Sequence, residues 1–251
     1  MHLAGLAHQP TSKEASLTAF REVNVEGARF VAEEAARADV RRFVFVSSIK
    51  VNGEGEGSRP YQSTDEPNPR DAYGQSKMEA EIVLRDICLR SDMELVVLRP
   101  PLIYGPAVRA NFHRFMQLAA LPVPLPLGSV RNSRSFLGVW NLASFVDTVL
   151  RHPRAAGRTW LVSDVEDLST PTLLRKLRYF LGKQGNLFPC PPSLLRFGAK
   201  LAGLELAVDR LCESLRVDPT PALRELGWQP PLSVDEGLSR TVAAFLKRGA
   251  S

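Results

Sequence analysis

Three side chains in the first third of the chain have the types and spacing needed for proton transfer. Tyr73 and Lys77 are four residues apart, so a helix places them on the same face. Ser48 follows a short apolar run, and a serine at the mouth of a strand can meet that face. Such a trio can transfer a proton to or from a sugar-type hydroxyl while a neighbouring nicotinamide takes the hydride.

The tyrosine needs a cation nearby to act as a base, because its unperturbed pKa is about 10. A positive charge close to the phenol favours the phenolate. Lys77 supplies one such charge from the next helical turn, and an oxidised nicotinamide would supply another. We therefore expect Lys77 to lower the pKa of Tyr73, while Ser48 holds the substrate oxygen within reach.

The elements that position this trio alternate between helices and buried strands. Apolar residues at helical spacing predict a helix over 19–36 and another over 72–89, and short apolar runs predict buried strands at Arg42–Val46 and Glu94–Leu98. Strands and helices at this spacing indicate a parallel sheet with right-handed crossovers.

Ser47 and Ser48 fall at the carboxyl end of the first of these strands, where open α/β sheets bind ligands. The turn Arg99–Gly105, after the next strand, could form a wall of the same crevice. Two simpler interpretations stay open. A Tyr-x-x-x-Lys pair is common on helix surfaces, and a serine pair that ends a strand can cap the following turn.

The second half of the chain is less regular. Its apolar patterns predict strands at 135–139 and 159–162 and helices at 111–120, 142–150, 169–181, 192–202, 220–226 and 234–247, with an ordered proline-rich loop at 121–127. We therefore predict a partial dinucleotide-binding domain of residues 1–105 and 134–165. Residues 106–133 and 166–251 form a smaller, mostly helical substrate domain.

Composition limits the ligands and the compartment. A net charge of +5 on 251 residues suits an anionic substrate such as a nucleotide diphosphate, and no basic run is dense enough to favour nucleic acid. Cys88, Cys190 and Cys212 match no metal spacing and indicate a reducing compartment. No run of 18 apolar residues occurs. We expect a cytoplasmic protein with no metal, no nucleic-acid partner and no membrane insertion.

Six segments, taken together and in order, carry a resemblance to a known family. They are His2–Gly5, Asn24–Gly27, Arg42–Ser48, Tyr73–Lys77, Leu98–Gly105 and Leu226–Trp228. They resemble the extended short-chain dehydrogenase/reductases, and within these the NAD-dependent epimerase/dehydratase family that acts on nucleotide sugars. The segments Ser47–Gly53 and Leu161–Thr170 resemble its bacterial branch associated with O-antigen and capsule polysaccharides.

The resemblance implies a Rossmann-like fold and a role for each matching residue. The catalytic residues would be Ser48, Tyr73 and Lys77. The cofactor contacts would be Ala4, Gly5, Asn24, Ser47, Tyr73, Lys77 and Pro101. The substrate contacts would be Ser48, Asn111, Arg134 and Arg210. Arginine suits a diphosphate because its planar fork donates two hydrogen bonds, although both arginines could equally be solvated surface charges.

The chain departs from the family pattern at its start. The family's Gly-x-x-Gly-x-x-Gly loop, whose amide groups hold the cofactor pyrophosphate, occurs nowhere in this sequence. The chain resembles the family from the fourth strand onward, so about sixty residues are missing at roughly 30 per βαβ unit. A sheet without those strands should expose apolar faces, and we expect this polypeptide alone to be unstable or inactive.

The resemblance implies NAD as the cofactor and a UDP-sugar as the substrate. NADP is not excluded, because the residue that would select it lies in the absent region.

The main hypothesis is 4-epimerisation by transient oxidation of the sugar at C4. The alternatives are a nucleotide-sugar 4-ketoreductase and a non-catalytic binding module. A dehydratase is disfavoured because Ile49 and Lys50 stand where the resembling dehydratases have acidic residues. The resemblance also implies a homodimer formed through helices around 22–36 and 72–89.

Overall fold

A computed structural model of the protein describes residues 1–3, 5–7, 13–55, 59–107, 110–201, 203 and 205–249. The strands are β1 (Arg42–Val46), β2 (Glu94–Arg99), β3 (Leu102–Tyr104), β4 (Phe136–Gly138) and β5 (Thr159–Leu161). The helices are α1 (Lys13–Phe20), α2 (Gly27–Arg37), α3 (Ala72–Leu89), α4 (Ala110–Ala120), α5 (Val139–Arg151), α6 (Thr170–Phe180), α7 (Pro192–Leu201), α8 (Glu205–Cys212), α9 (Thr220–Glu225) and α10 (Val234–Gly249). A π-helical segment, Arg21–Glu26, joins α1 to α2.

The main sheet is parallel, with the strand order β1-β2-β5. His2 extends it beyond β1, because its amide donates to Val44 O at 2.8 Å and its carbonyl accepts from Val46 N at 3.2 Å. A second parallel pair joins β3 to β4. The predicted α/β class with parallel strands is therefore confirmed.

Both faces of the main sheet are covered, which explains why its strands are continuously apolar. Successive side chains of a strand point to opposite faces. Phe43 and Phe45 accordingly pack with α2 and α3, whereas Val44 and Val46 pack with α5. All five residues of β1 are buried. Because helices pack on both faces of the sheet, the carboxyl ends of β1 and β2 are held in fixed positions side by side.

A third cluster of buried apolar side chains lies among β3, α4, α6 and α10. The proline-rich segment 121–127 closes one side of it and buries Leu125 and Leu127. Arg178 on α6 holds this segment by donating to Leu121 O and Val123 O at 3.3 and 2.8 Å. The prediction of an ordered loop is confirmed.

The predicted helices and strands are confirmed to within three residues at their ends, with one exception. The helix predicted over 19–36 begins at Lys13 and is divided by the π-helical segment Arg21–Glu26. Two elements were missed. Residues 99–105, predicted as a turn, contain β3, and α8 was not predicted. β3 has only three residues, and its hydrogen-bonding partner β4 lies 34 positions later in the chain. Local patterns cannot reveal such a pairing. The division into two domains stays a prediction.

The structure was also searched for helices that could cross a membrane. Among the residues it describes, none is both long enough and apolar enough to do so.

Candidate active site

A cavity of about 940 Å³ opens at the carboxyl ends of β1 and β2. It is large enough for a ligand of several hundred daltons. Six of the residues singled out from the sequence line it, namely Ser47, Ser48, Tyr73, Pro101, Arg134 and Arg210. The turn after β2 contributes Pro100 to Ile103, so the prediction that this turn forms a wall of the crevice is confirmed.

The first turn of α3 brings Tyr73 to Ser48. Asp71 caps this helix by accepting from Gly74 N at 2.7 Å. A Cβ atom on Gly74 would lie 2.6 Å from Lys50 O, so only glycine lets the helix approach the 49–51 turn this closely. As a result the Ser48 hydroxyl lies near enough to the Tyr73 phenol to lower its pKa.

The Tyr73 phenol is held in its protonated form by its surroundings. Burial raises its pKa above the usual value, the Ser48 hydroxyl opposes this, and Asp71 raises the pKa further. Lys77 is not among the groups that cause this shift, and the expectation that it lowers the Tyr73 pKa stays a prediction. Burial destabilises the phenolate by more than the neighbouring groups stabilise it.

Lys77 lies one turn further along α3, on the same face as Tyr73, and is only 3 % exposed. Its Nζ stands 4.1 Å from the centroid of the Phe45 ring. Burial lowers its pKa to about 8, although Glu81 opposes the shift. Within the part of the chain that the structure describes, no acceptor forms a hydrogen bond with this ammonium group.

Two further predicted residues fix the backbone beside Lys77. A Cβ atom on Gly5 would lie 3.1 Å from Asn24 Oδ1 and 3.8 Å from Lys77 Nζ, so Gly5 permits a close approach. The Asn24 side chain accepts from Leu6 N at 2.7 Å and donates to Leu6 O and Ser76 Oγ. Asn24 thus ties the segment after Gly5 to α3.

Sequence reasoning missed two charged residues that support the site. Glu81 on α3 accepts two hydrogen bonds from Arg99 at the end of β2, at 2.9 and 2.6 Å. Both side chains are buried, and Ser47 Oγ donates to the same carboxylate at 2.5 Å. Arg99 also donates to Asn52 Oδ1 at 3.0 Å. The sequence did contain a signal for this ion pair, because an arginine at the end of a buried apolar strand needs a buried partner of opposite charge.

The lining of the cavity carries a net positive charge. Its lining includes five basic and three acidic side chains, namely Lys50, Arg70, Arg114, Arg134 and Arg210 against Glu54, Asp71 and Glu213. Arg134 Nη1 donates to Arg210 O and Glu213 O at 2.9 and 3.0 Å, so the two predicted substrate arginines lie together at the end of α8. Burial lowers the pKa of Arg134, and Glu213 and Glu54 oppose this.

Two of the predicted contacts cannot be placed. Ala4 lies outside the described residues, and so does the side chain of Asn111 in α4. The roles assigned to all the site residues from the sequence stay predictions.

The comparisons with known proteins agree with this geometry. The profile of the NAD dependent epimerase/dehydratase family matches residues 1–163. The chain belongs to this family. It is 42 % identical over 250 residues to a UDP-glucose 4-epimerase of Vibrio cholerae, covering 98 % of this chain and 76 % of that protein.

Two more relatives are more distant. An N-acetyl-alpha-D-glucosaminyl-diphospho-ditrans,octacis-undecaprenol 4-epimerase of Escherichia coli O157:H7 is 27 % identical, over 89 % of this chain and 71 % of that protein. The crystal structure of a UDP-glucuronic acid 4-epimerase from Bacillus cereus in complex with NAD superposes with a TM-score of 0.77. It shares 19 % identity over 98 % of this chain and 73 % of its own, so it supports the fold alone.

The described residues fit the nicotinamide and ribose end of the family's cofactor. The buried Lys77 ammonium makes no hydrogen bond within the described residues, and a ribose diol would supply acceptors for it. Tyr73, one helical turn before Lys77, lines the cavity together with Pro101. The chain carries no glycine-rich loop of the family type for the pyrophosphate. The fit therefore extends to one half of the dinucleotide.

Replacing Lys77 by Met should stabilise the protein at pH 7 by up to about 3 kcal/mol, because the native pKa of about 8 lies below the 10.5 of a solvated lysine in the unfolded chain. Between these two pH values the unfolded wild type binds more protons than the native state. The free energy of unfolding of the wild type therefore rises relative to the variant from pH 8 to 10.5 and not below pH 8.

Urea unfolding of both proteins at pH 7, 8, 9 and 10 checks this, with Lys183→Met as the exposed control. A difference between wild type and Lys77→Met that stays constant over this range would contradict the burial of a charged Lys77.

Replacing Glu81 by Gln should lower the free energy of unfolding by about 3 kcal/mol, because Arg99 would keep its charge in a buried site without a carboxylate. Glu79→Gln is the matched control on the same helix. Glu79 pairs with Arg21 at the surface, where the loss is less than about 1 kcal/mol. Equal decreases in the free energy of unfolding for the two variants would show that the buried Glu81–Arg99 pair stabilises the protein no more than the surface pair does.

Proposed function

We propose that this chain binds a UDP-sugar in the cavity and inverts the sugar at C4 through a transient 4-keto intermediate. The observation that carries the proposal is that Ser48 and Tyr73 line the same cavity wall, with the buried Lys77 one helical turn from Tyr73. The similarity to the Vibrio cholerae UDP-glucose 4-epimerase over nearly the whole chain supports it.

Each residue of the trio has a distinct task. The family's NAD supplies hydride acceptance and return when it is bound. Ser48 holds the sugar hydroxyl and the Tyr73 phenol in one hydrogen-bonded group. The Tyr73 oxygen takes the hydroxyl proton and later gives it back. Since burial and Asp71 raise the Tyr73 pKa, this oxygen needs both the Lys77 charge and a second cation close by to act as a base.

The diphosphate belongs beside Arg134 and Arg210 in the cavity. Arg134 is held in place by the carbonyl groups of Arg210 and Glu213, and its guanidinium fork keeps other donors available. The excess of two basic side chains over acidic ones in the lining favours an anionic ligand. A binding site with this charge distribution orients the sugar toward Ser48 and Tyr73.

Interconversion of UDP-galactose and UDP-glucose in the presence of NAD tests the proposal. Tyr73→Phe should lower turnover by about 100-fold or more, because the phenol oxygen carries the proton. Its Kd for UDP, measured by titration calorimetry, should stay within about twofold. Tyr179→Phe is the control, since Tyr179 is 79 % exposed on α6.

Three results would contradict the proposal. Consumption of NAD(P)H in proportion to product would indicate a 4-ketoreductase. Binding of UDP without binding of NAD and without turnover would indicate a binding module, in keeping with the missing glycine-rich loop. Equal turnover by the wild type and Tyr73→Phe would remove Tyr73 from the mechanism.

A sugar carried on a polyprenyl diphosphate is the second candidate substrate, since the Escherichia coli relative is described as acting on one. The exposed apolar side chains of α7, which packs on α8 beside the cavity, favour it. Both substrates place a diphosphate at Arg134. Turnover of the lipid-linked sugar without turnover of UDP-sugars would select this candidate.

We further propose that two copies pair through α2 and α3. The π-helical segment exposes Val23 by 44 % and α2 exposes Phe30 by 65 %, while the neighbouring α3 exposes Ile82 and Leu89 by 59 and 86 %. Each pair is seven residues apart, so each helix presents one apolar stripe, and two copies would form a four-helix bundle.

Sedimentation velocity should find a dimer at micromolar concentration and a monomer for the double variant Phe30→Gln/Ile82→Gln, because the apolar contact is lost. Leu150→Gln on α5, where Leu150 is 42 % exposed, should remain dimeric. A stable interface of this kind should be fully formed at about 20 µM. A wild type that remains monomeric at this concentration would refute the pairing.

A further inference from the structure

Helix α7 has two apolar faces, and only one of them is packed. Leu195 and Ala199 turn inward, and Leu195 packs against the cluster of α4, α6 and α10. Leu194, Phe197 and Leu201 turn outward at spacings of three and four residues, with exposures of 59, 62 and 76 %. Three large apolar side chains on one exposed stripe indicate a surface that is covered by something else.

The surroundings of α7 are held in a fixed position. The segment before the helix pairs with the proline-rich loop, since Leu125 N donates to Asn186 O at 3.1 Å and Gly128 N to Phe188 O at 2.9 Å. Phe188 itself is 45 % exposed. This rim adds further apolar surface beside the helix without depending on α7 for its own structure.

The two sequence ranges around α7 carry only basic charges, although Asp209 of the neighbouring α8 pairs with Arg196 and Asp235 pairs with Lys176. Residues 106–133 and 168–204 contain nine Lys and Arg residues and none of the chain's 27 acidic residues. The nine are Arg109, Arg114, Arg131, Arg175, Lys176, Arg178, Lys183, Arg196 and Lys200. On α7, Arg196 and Lys200 lie on the flank between the packed face and the exposed stripe. An apolar stripe flanked by cations is typical of helices that lie in a membrane interface.

We propose that the outward face of α7 docks on the surface of an anionic lipid bilayer. Leu194, Phe197 and Leu201 would enter the boundary between headgroups and acyl chains, and Lys200 would face the lipid phosphates. A protein partner fits less well, because its matching surface would have to be both apolar and strongly acidic. The bilayer supplies both properties at once.

The docking surface lies close to the substrate cavity. Helix α7 packs on α8, and Arg196 pairs with Asp209 at 3.1 Å. The next residues, Arg210 and Leu211, line the cavity together with Glu213. If the proposed function holds, docking brings this part of the cavity lining to the level of the lipid headgroups, where a diphosphate-linked substrate can be taken from the membrane.

Vesicle co-sedimentation of the full chain tests the docking without requiring turnover or cofactor. The protein should bind vesicles of three parts phosphatidylcholine to one part phosphatidylglycerol, and lose binding in 0.5 M NaCl and on phosphatidylcholine alone. Phe197→Gln/Leu201→Gln should weaken binding at least tenfold. Leu150→Gln, at a 42 % exposed leucine on α5, should change it less than twofold.

A pair of charge variants separates a local contact from general attraction. Lys200→Gln and Arg41→Gln each lower the net charge by one, and both side chains are exposed. Lys200→Gln should weaken vesicle binding about fivefold, which is the effect of removing one cation close to the bilayer surface. Arg41→Gln should leave vesicle binding unchanged. Equal effects of the two variants would overturn the proposal.

Two other outcomes would also overturn it. The first is a wild type that sediments with no vesicle while still binding UDP by calorimetry. The second is loss of self-association of Phe197→Gln/Leu201→Gln in sedimentation velocity, which would assign the α7 face to a second copy of the chain. Neither outcome would affect the assignment of Tyr73, because that rests on turnover of the sugar.

Discussion

The buried ion pair between Glu81 and Arg99 is the interaction on which the arrangement of the site depends. It joins the middle of α3 to the end of β2, and Ser47 at the end of β1 donates to the same carboxylate. Two charges at 2 and 5 % exposure are stable only because each satisfies the other. The three elements that surround the cavity are therefore fixed to one another at one point.

A second contact fixes α3 nearer its start. Gly74 lets the first turn approach Lys50 O; Tyr73 directly precedes this contact, and Lys77 lies between it and the ion pair. A helix held at two points cannot rotate about its axis. The side chains between those points keep their direction toward the cavity and the sheet, which is the pre-organisation that proton transfer requires.

Burial gives this site its chemical character. The same exclusion of water raises the pKa of Tyr73 and lowers that of Lys77 to about 8, so each group is pushed toward its neutral form. An additional positive charge placed between them would favour the phenolate at neutral pH.

Much of this protein could be predicted from residue patterns. The apolar runs at 42–46 and 94–98 indicated buried parallel strands, and the four-residue spacing of Tyr73 and Lys77 indicated a shared helix face. Both follow from local geometry, because strand and helix periods are properties of the backbone. The family resemblance added the arginines, and the structure brings Arg134 and Arg210 together at the end of α8.

Other features depend on contacts between distant parts of the chain. β3 exists because β4 pairs with it, Glu81 is an ion-pair partner because β2 ends beside α3, and the Tyr73 pKa is raised because several elements bury it. The sequence by itself determined which groups could do chemistry and which strands would be buried. Only the tertiary structure decided the charge states of those groups, because desolvation depends on everything packed around them.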